Sequence, residues 1–553
     1  MRSRSFLLFF AFVAIAGSPG AFSQSQEDLP GTFGEVLDVR VVNIEVVVTD
    51  GKGLPVYGLG PDDFILTVDG TEVPVEYFSE VRGGTSLRVE DRADTVAGIP
   101  GLQPGSPVGT SYLLFIDEVF TLARDREVVF DEITSQLPGM QPEDRMAIVA
   151  FNGTRLEMLS NWSSSSDDLH RVLRRALSRP TLGLQQRGAL RQYDRDTVET
   201  LEPSFSTELD AVERRYIRRL TEDVRRSVEA ATATLRSFAQ PPGRKVMLLL
   251  SGGWPLSPLS YAVSNPERQI LEEDLAQGAE IHQQLTDVAN LLGYTLYTID
   301  VAGISFQAID TSDRDNSTIL LNSRVAGDHG ALGRRSQLRE NQVHAGLQFL
   351  ATRTGGRALL DEARGTALAT VVEDTRSYYW LGFTPERTHD ESRHRLAVEM
   401  RSPGLVSRSR SGFLDSSRAS EVAMAVESSL LFGDGAFQEG IRLELGEFRK
   451  AGRGRVEVPL IVWIPLAEMT FLEQPQKQVT DLVLRIAVSD QTGQTSEIPP
   501  IPLSFAADEP LERGKYVRYE SNLTLRRQDH HAVVAVHEPI SGAVFSGSID
   551  IEP

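Results

Sequence analysis

Asp117 and Glu118 stand where an uncharged apolar run, residues 112–116, abruptly ends. Ser251-Gly252-Gly253 follows the run 245–250 in the same way, and Asp300 closes the run 295–299. Short apolar runs that stop at a polar residue and lead into helix-like patterns read as buried parallel strands. In an open α/β sheet the carboxyl ends of such strands are where ligands bind. Any chemistry at that edge starts from Asp117, Glu118, Ser251 and Asp300.

Enzymatic constellations are otherwise sparse. The chain has no cysteine, so it offers neither a thiol nucleophile nor a thiolate metal site. Ser251 lacks the flanking glycines of a G-x-S-x-G elbow. No Walker or G-x-G-x-x-G loop follows a strand. Gly252-Gly253 offers backbone N–H groups to an anion, or simply makes a turn. His531 and His537 share a strand face but lie roughly 20 Å apart, and His530 points to the other face. No catalytic residue and no cofactor-binding residue is assigned, and a non-enzymatic chain is expected.

The elements that position these residues come from a chain of 553 residues, 41% hydrophobic, enough for about three or four domains. Its formal charge of -21, from 77 acidic and 56 basic residues, argues against a nucleic-acid partner. Arg2 and Arg4, the apolar stretch 6–17 and Ala21-Phe22-Ser23 have the order of a secretory signal peptide, residues 1–23. Export to the periplasm or the extracellular space follows, with no membrane span after signal removal.

Residues 24–36 read as disordered. Within 37–82, Val42, Ile44, Val46 and Val48 alternate with a mixed face, and Asp50-Gly51 and Asp69-Gly70 mark turns, which predicts an N-terminal β domain. Residues 83–110 form a Gly/Pro-rich linker. Between 111 and 376 strands and helices alternate, the pattern of a doubly wound sheet. Residues 377–415 read as a β appendage and 416–440 as a linker or helix. Seven short strands between 441 and 553 predict a C-terminal β-sandwich. Two segments after strands, 252–278 and 301–341, are long for a compact domain.

Three segments carry a family resemblance: VVNIEVVVTDGKGLPVYGLGPDDFILTVDG; the set LLFIDEVFT, MAIVAF and VMLLLSGG; and YYWLGFTPE with HRLAVEMRSPGLVSRSRSGF. Over roughly residues 41–413 the chain resembles the exported von Willebrand factor A-related (VWA) proteins of acidobacterial type. The resemblance implies a fold class of α/β + β. A central doubly wound, Rossmann-like VWA domain would sit between the N-terminal β domain and the C-terminal sandwich.

It also implies a metal-ion-dependent adhesion site in degenerate form. Asp117 matches the first Asp of Asp-x-Ser-x-Ser, Val119 replaces the first Ser, and Thr121 keeps the hydroxyl of the second. Ser251 matches the hydroxyl after a later strand, where Gly252 replaces the expected Asp. Thr181 aligns loosely with a loop Thr. Asp117, Thr121 and Ser251 are therefore the candidate metal ligands, for Mg²⁺ held weakly if at all. The other reading is that Asp117 and Thr121 cap a helix or fix the loop. The function expected is a protein-interaction or adhesion module that binds a protein partner at the top rim. The alternatives are a cell-envelope hydrolase and a structural envelope component.

Overall fold

The computed structural model describes residues 41–91, 104–198, 211–238, 243–262, 272–301, 329–360, 366–385, 391–432, 438–465, 469, 472–474, 477–490, 495–507, 516–539 and 543–553. The expected signal 1–23, the stretch 24–36 and parts of the linker and of both long segments lie outside the described residues. Packing divides the chain into two units, Val39–Ser417 and one containing Arg418–Pro553.

The first unit opens with β1 (Val42–Thr49), β2 (Phe64–Val68), β3 (Thr71–Val73), β4 (Tyr77–Arg82) and β5 (Thr85–Asp91). A helix-containing region follows. It comprises β6 (Thr110–Asp117), α1 (Ala123–Gln136), β7 (Arg145–Phe151), β8 (Leu156–Ser163), α2 (Ser166–Leu177), α3 (Gly183–Val198) and α4 (Ala211–Ser237). It continues through β9 (Arg244–Ser251), α5 (Pro258–Ala262), α6 (Glu272–Leu292), β10 (Tyr294–Asp300), α7 (His329–Arg353), β11 (Ala358–Leu359) and α8 (Ala367–Thr375). The unit closes with β12 (Tyr378–Phe383), β13 (Arg393–Met400), β14 (Val406–Arg408) and β15 (Gly412–Leu414).

Every residue of β6 is buried, as its uncharged run requires. It pairs in parallel with β7 on one side and β9 on the other. The sheet runs β11-β10-β9-β6-β7-β8, parallel except for β8. Tyr112, Leu114 and Ile116 of β6 pack with Val129, Phe130 and Ile133 of α1 in one core. Helix α2 starts where the Ser165 hydroxyl accepts from the Asp168 amide.

The expected class, an α/β + β chain organised on a central doubly wound, Rossmann-like VWA domain, is corrected. Among the described residues strand makes up 41% and helix 34%, so strand outweighs helix. One sheet of the five among the described residues is mostly parallel, and most of the strands lie in the other four. The N-terminal strands, moreover, do not build a domain of their own. β1 pairs antiparallel with β12 and β14, and β2 with β13. The physical reason is size: so few short strands cannot bury a core alone. The apolar face of β1, Val42, Ile44, Val46 and Val48, shares its core with Tyr379, Leu381, Leu396 and Phe413 from the far end of the unit.

The second unit holds α9 (Arg418–Phe432), β16 (Gln438–Glu439), β17 (Arg442–Leu445), β18 (Arg449–Lys450), β19 (Arg455–Pro465) and β20 (Leu472–Gln474). Then come β21 (Lys477–Asp490), β22 (Thr495–Ala507), β23 (Tyr516–Arg526), β24 (His530–His537) and β25 (Val544–Ile551). Two sheets, built around β21 and β19, enclose one core of alternating residues such as Val458, Leu460, Leu484 and Val534. Val422 and Val426 of α9 cover the outer side of β21 and β24 at Ala487, Val533 and Ala535.

Candidate functional site

β6 and β9 are adjacent, so their last residues meet. Ser251 Oγ donates to Asp117 Oδ2 at 2.6 Å. Trp254 Nε1–H donates to the same oxygen at 2.7 Å. The Val119 amide donates to Asp117 Oδ1 at 3.0 Å, and the Phe120 amide also turns toward this carboxylate. Asp117, Ser251 and Trp254 are all fully buried. Burial pushes the Asp117 carboxyl up to about 6, against the lowering pull of Ser251, Trp254 and the two amides.

Trp254 stacks beside buried His282, whose Nε2–H donates to the Pro255 carbonyl at 3.1 Å. Burial drives that imidazole down to about 4, so it is neutral at neutral pH. Gly346 of α7 lies so close to the Trp254 carbonyl that an added Cβ would meet it at 2.1 Å. Trp254 is thereby held from the loop side and from the helix side.

Glu118 faces the other way. Arg179 grips it with two bonds, at 2.6 and 3.2 Å, and Arg126 lies at 3.5 Å. Arg126 also donates to the carbonyls of Leu177 and Arg179. Thr121 sits under the start of α3, where an added Cβ on Gly183 would meet the Thr121 carbonyl at 2.4 Å. Its hydroxyl is buried without a hydrogen-bond partner among the described residues. Asp300 lies opposite Ser251 in register, and His344 approaches it at 3.8 Å.

Of the three candidate ligands, the structure joins Asp117 and Ser251 directly, while the Thr121 hydroxyl makes no bond to either. The set does not fit a resident Mg²⁺. The ion needs several oxygen ligands in near-octahedral array. Both Asp117 oxygens are already spent on donors, and one of these is an indole N–H, which cannot ligate a cation. Among the described residues, the rim oxygens left without a hydrogen-bond partner are the Thr121 hydroxyl and Asp300 Oδ1, fewer than the several oxygens the ion needs. Ser251 Oγ is within reach of a carboxylate base, but the residue is fully buried, so its hydroxyl meets no substrate in this conformation.

Sequence reasoning overlooked Trp254, Arg126 and Arg179. Trp254 had a signal, a lone aromatic three residues beyond a strand-terminal serine. Arg126 and Arg179 had none. Arg179 lies 61 residues from Glu118. Arg126, though near Glu118 in the chain, is also fixed by carbonyls of the distant loop at Leu177 and Arg179. The histidines of β24 stay separate: His531 Nδ1 meets Asp550 Oδ1 at 2.7 Å, and His537 lies at the other end of the strand.

No family model matches the chain, and no curated protein matches it. Among solved structures it is similar to the structural-genomics target SoR45, at 15% identity and TM-score 0.15, covering 20% of this chain and 86% of that one. It is also similar to the PilB minor pilin from Streptococcus sanguinis, at 8% identity and TM-score 0.24, covering 62% and 88%. A third is the pilus adhesin SpaC from Lactobacillus rhamnosus GG, at 8% identity and TM-score 0.23, covering 79% and 54%. At these scores none of them bears on what this chain does. The expected labels of VWA domain and Rossmann-like fold are corrected together with the fold class, on the β-rich sheets described above. Among the described residues, no helix is long and apolar enough to cross a membrane.

Proposed function

We propose that this chain is an exported, non-enzymatic interaction module that holds a protein partner at the rim formed by the carboxyl ends of β6, β9 and β10. The observation that carries the reading is the closure of Asp117. Its oxygens are satisfied by Ser251, Trp254 and backbone amides. A rim whose central carboxylate is spent on protein donors offers a surface for docking rather than a free base for reaction. Export rests on the signal-like order of residues 1–23, and periplasm and exterior are equally served by it.

The test is affinity capture from native envelope and medium with the full mature chain as bait. Leu184, in the first turn of α3 above Thr121, is 71% exposed and serves as the rim probe. A discrete partner is expected, with recovery reduced at least about tenfold by Leu184→Arg, the size of effect an interface-centre residue shows. Turnover of envelope polymers by the purified chain, or a partner indifferent to every rim substitution, would overturn the reading.

A further inference from the structure

At the opposite edge of the first unit lies a groove of about 580 Å³, between α6, α7 and the β13–β15 pair. Helices between parallel strands run back against them, so the last turns of α6 and α7 lie at the strands' amino ends, away from Asp117. The volume is in the range of ligand sites. The groove follows α6 from Ala279 to Asn290, roughly 16 Å of helix. That length matches about five residues of extended chain.

Its charges are unbalanced. Arg353, Arg393 and Arg395 line it against one carboxylate, Asp287. Arg393 is spent on Asp287 at 2.7 Å. Arg395 is exposed, and its guanidinium makes no ion pair among the described residues, while its amide is fixed to Asp69 at 2.8 Å. Arg353 lies 5.2 Å over the Phe349 ring. Its carbonyl takes bonds from Asn290 and from the Ser411 amide and hydroxyl, so its backbone is anchored. Arg353 also draws on the Asp287 carboxylate but forms no ion pair with it among the described residues. Arg353 and Arg395 thus both keep guanidiniums able to take a carboxylate through paired N–H groups. Phe349, half-buried, supplies an apolar wall, while Phe413 stacks on His394 at 4.8 Å and is turned into the β core.

A basic groove on a chain of net charge -21 is set apart from the rest of its surface. The chain's net negative charge repels an anionic segment at long range, and the groove's arginines draw it in locally. The geometry points to an acidic peptide segment of a partner protein, carrying Asp or Glu on either side of an apolar residue. It lies along α6 with its carboxylates on Arg353 and Arg395 and its apolar side chain against Phe349. This surface is separate from the Asp117 rim, and either assignment can fail without the other.

The experiment is the panning of a random heptapeptide library against the full mature chain and against the Arg353→Ser/Arg395→Ser variant. Both side chains are exposed, and an unchanged melting curve establishes that the variant is folded. The expected result is enrichment of Asp/Glu-rich peptides on the wild type. The enriched peptides should bind the variant at least about tenfold more weakly and lose affinity as salt rises. Pools without acidic excess, or peptides that bind the variant equally, would overturn the assignment. So would complete displacement by millimolar inorganic phosphate, which would mark a general anion site instead of a peptide groove.

Discussion

The indole N–H of Trp254 points at Asp117 Oδ2, 2.7 Å away, inside a fully buried pocket at the end of β6. A hydrogen bond to a buried charged acceptor contributes roughly 1.5–3 kcal/mol. Trp254→Phe keeps most of the apolar volume and removes that donor. It should lower the unfolding free energy by about 2 kcal/mol, read from the urea midpoint at unchanged slope. A midpoint equal to wild type would show that the indole bond is not holding the carboxylate.

Asp117 also sets a pH dependence of definite sign. Its ordinary value is 3.8, and burial raises it to about 6 in the folded chain. A raised folded value means that the native state holds its proton more tightly than the unfolded state. The stability contributed by protonated Asp117 is therefore complete below 3.8 and lost as pH rises through about 6. Asp117→Asn should erase this component. The difference in unfolding free energy between wild type and variant should move by on the order of 3 kcal/mol between pH 4 and pH 7. A difference flat across that range would refute the shift.

Gly346 is a steric requirement. Its helix passes so close to the loop that a methyl group would overlap the Trp254 carbonyl. Gly346→Ala must push α7 and the Trp254 segment apart, at a cost of about 1–3 kcal/mol. The displacement should appear as a changed tryptophan emission spectrum together with a lower melting temperature. Unaltered emission and melting would show that the two segments are not in contact.

At the other end of the sheet, Glu45 of β1 meets Arg244 of β9 at 2.8 Å, with Arg244 also donating to the Thr375 carbonyl and stacking 4.4 Å over Tyr378. Burial pushes the Glu45 carboxyl up while Arg244 and Arg410 draw it down. Removing one partner of a buried pair leaves the other uncompensated, at about 3–5 kcal/mol. Glu45→Ala and Arg244→Ala should each cost that much. The double variant should cost clearly less than their sum in a double-mutant cycle. Strict additivity would rule out a direct pair.

The strands were legible where burial writes itself as an uncharged run. Residues 112–116, 146–151 and 245–250 fall within β6, β7 and β9, and the seven expected C-terminal strands fall at β17, β19 and β21 through β25. What composition concealed was pairing. The alternation in β1 announces a half-buried strand and says nothing of β12, its partner across more than three hundred residues. That is why a terminal β domain was expected where the structure has sheets closed by both ends of the unit. The adjacency of Asp117 and Ser251 was readable from strand ends alone. Its occupant was not, because Trp254 reaches the carboxylate through a loop conformation that no periodicity encodes.

The central claim is that the rim works with its carboxylate closed by protein donors and without an ion. Partner capture by the full mature chain, run side by side in magnesium and in excess chelator, tests it most directly. The account predicts equal recovery of the partner in both. Loss of the complex in chelator, restored by added Mg²⁺ and absent in Asp117→Asn, would contradict it.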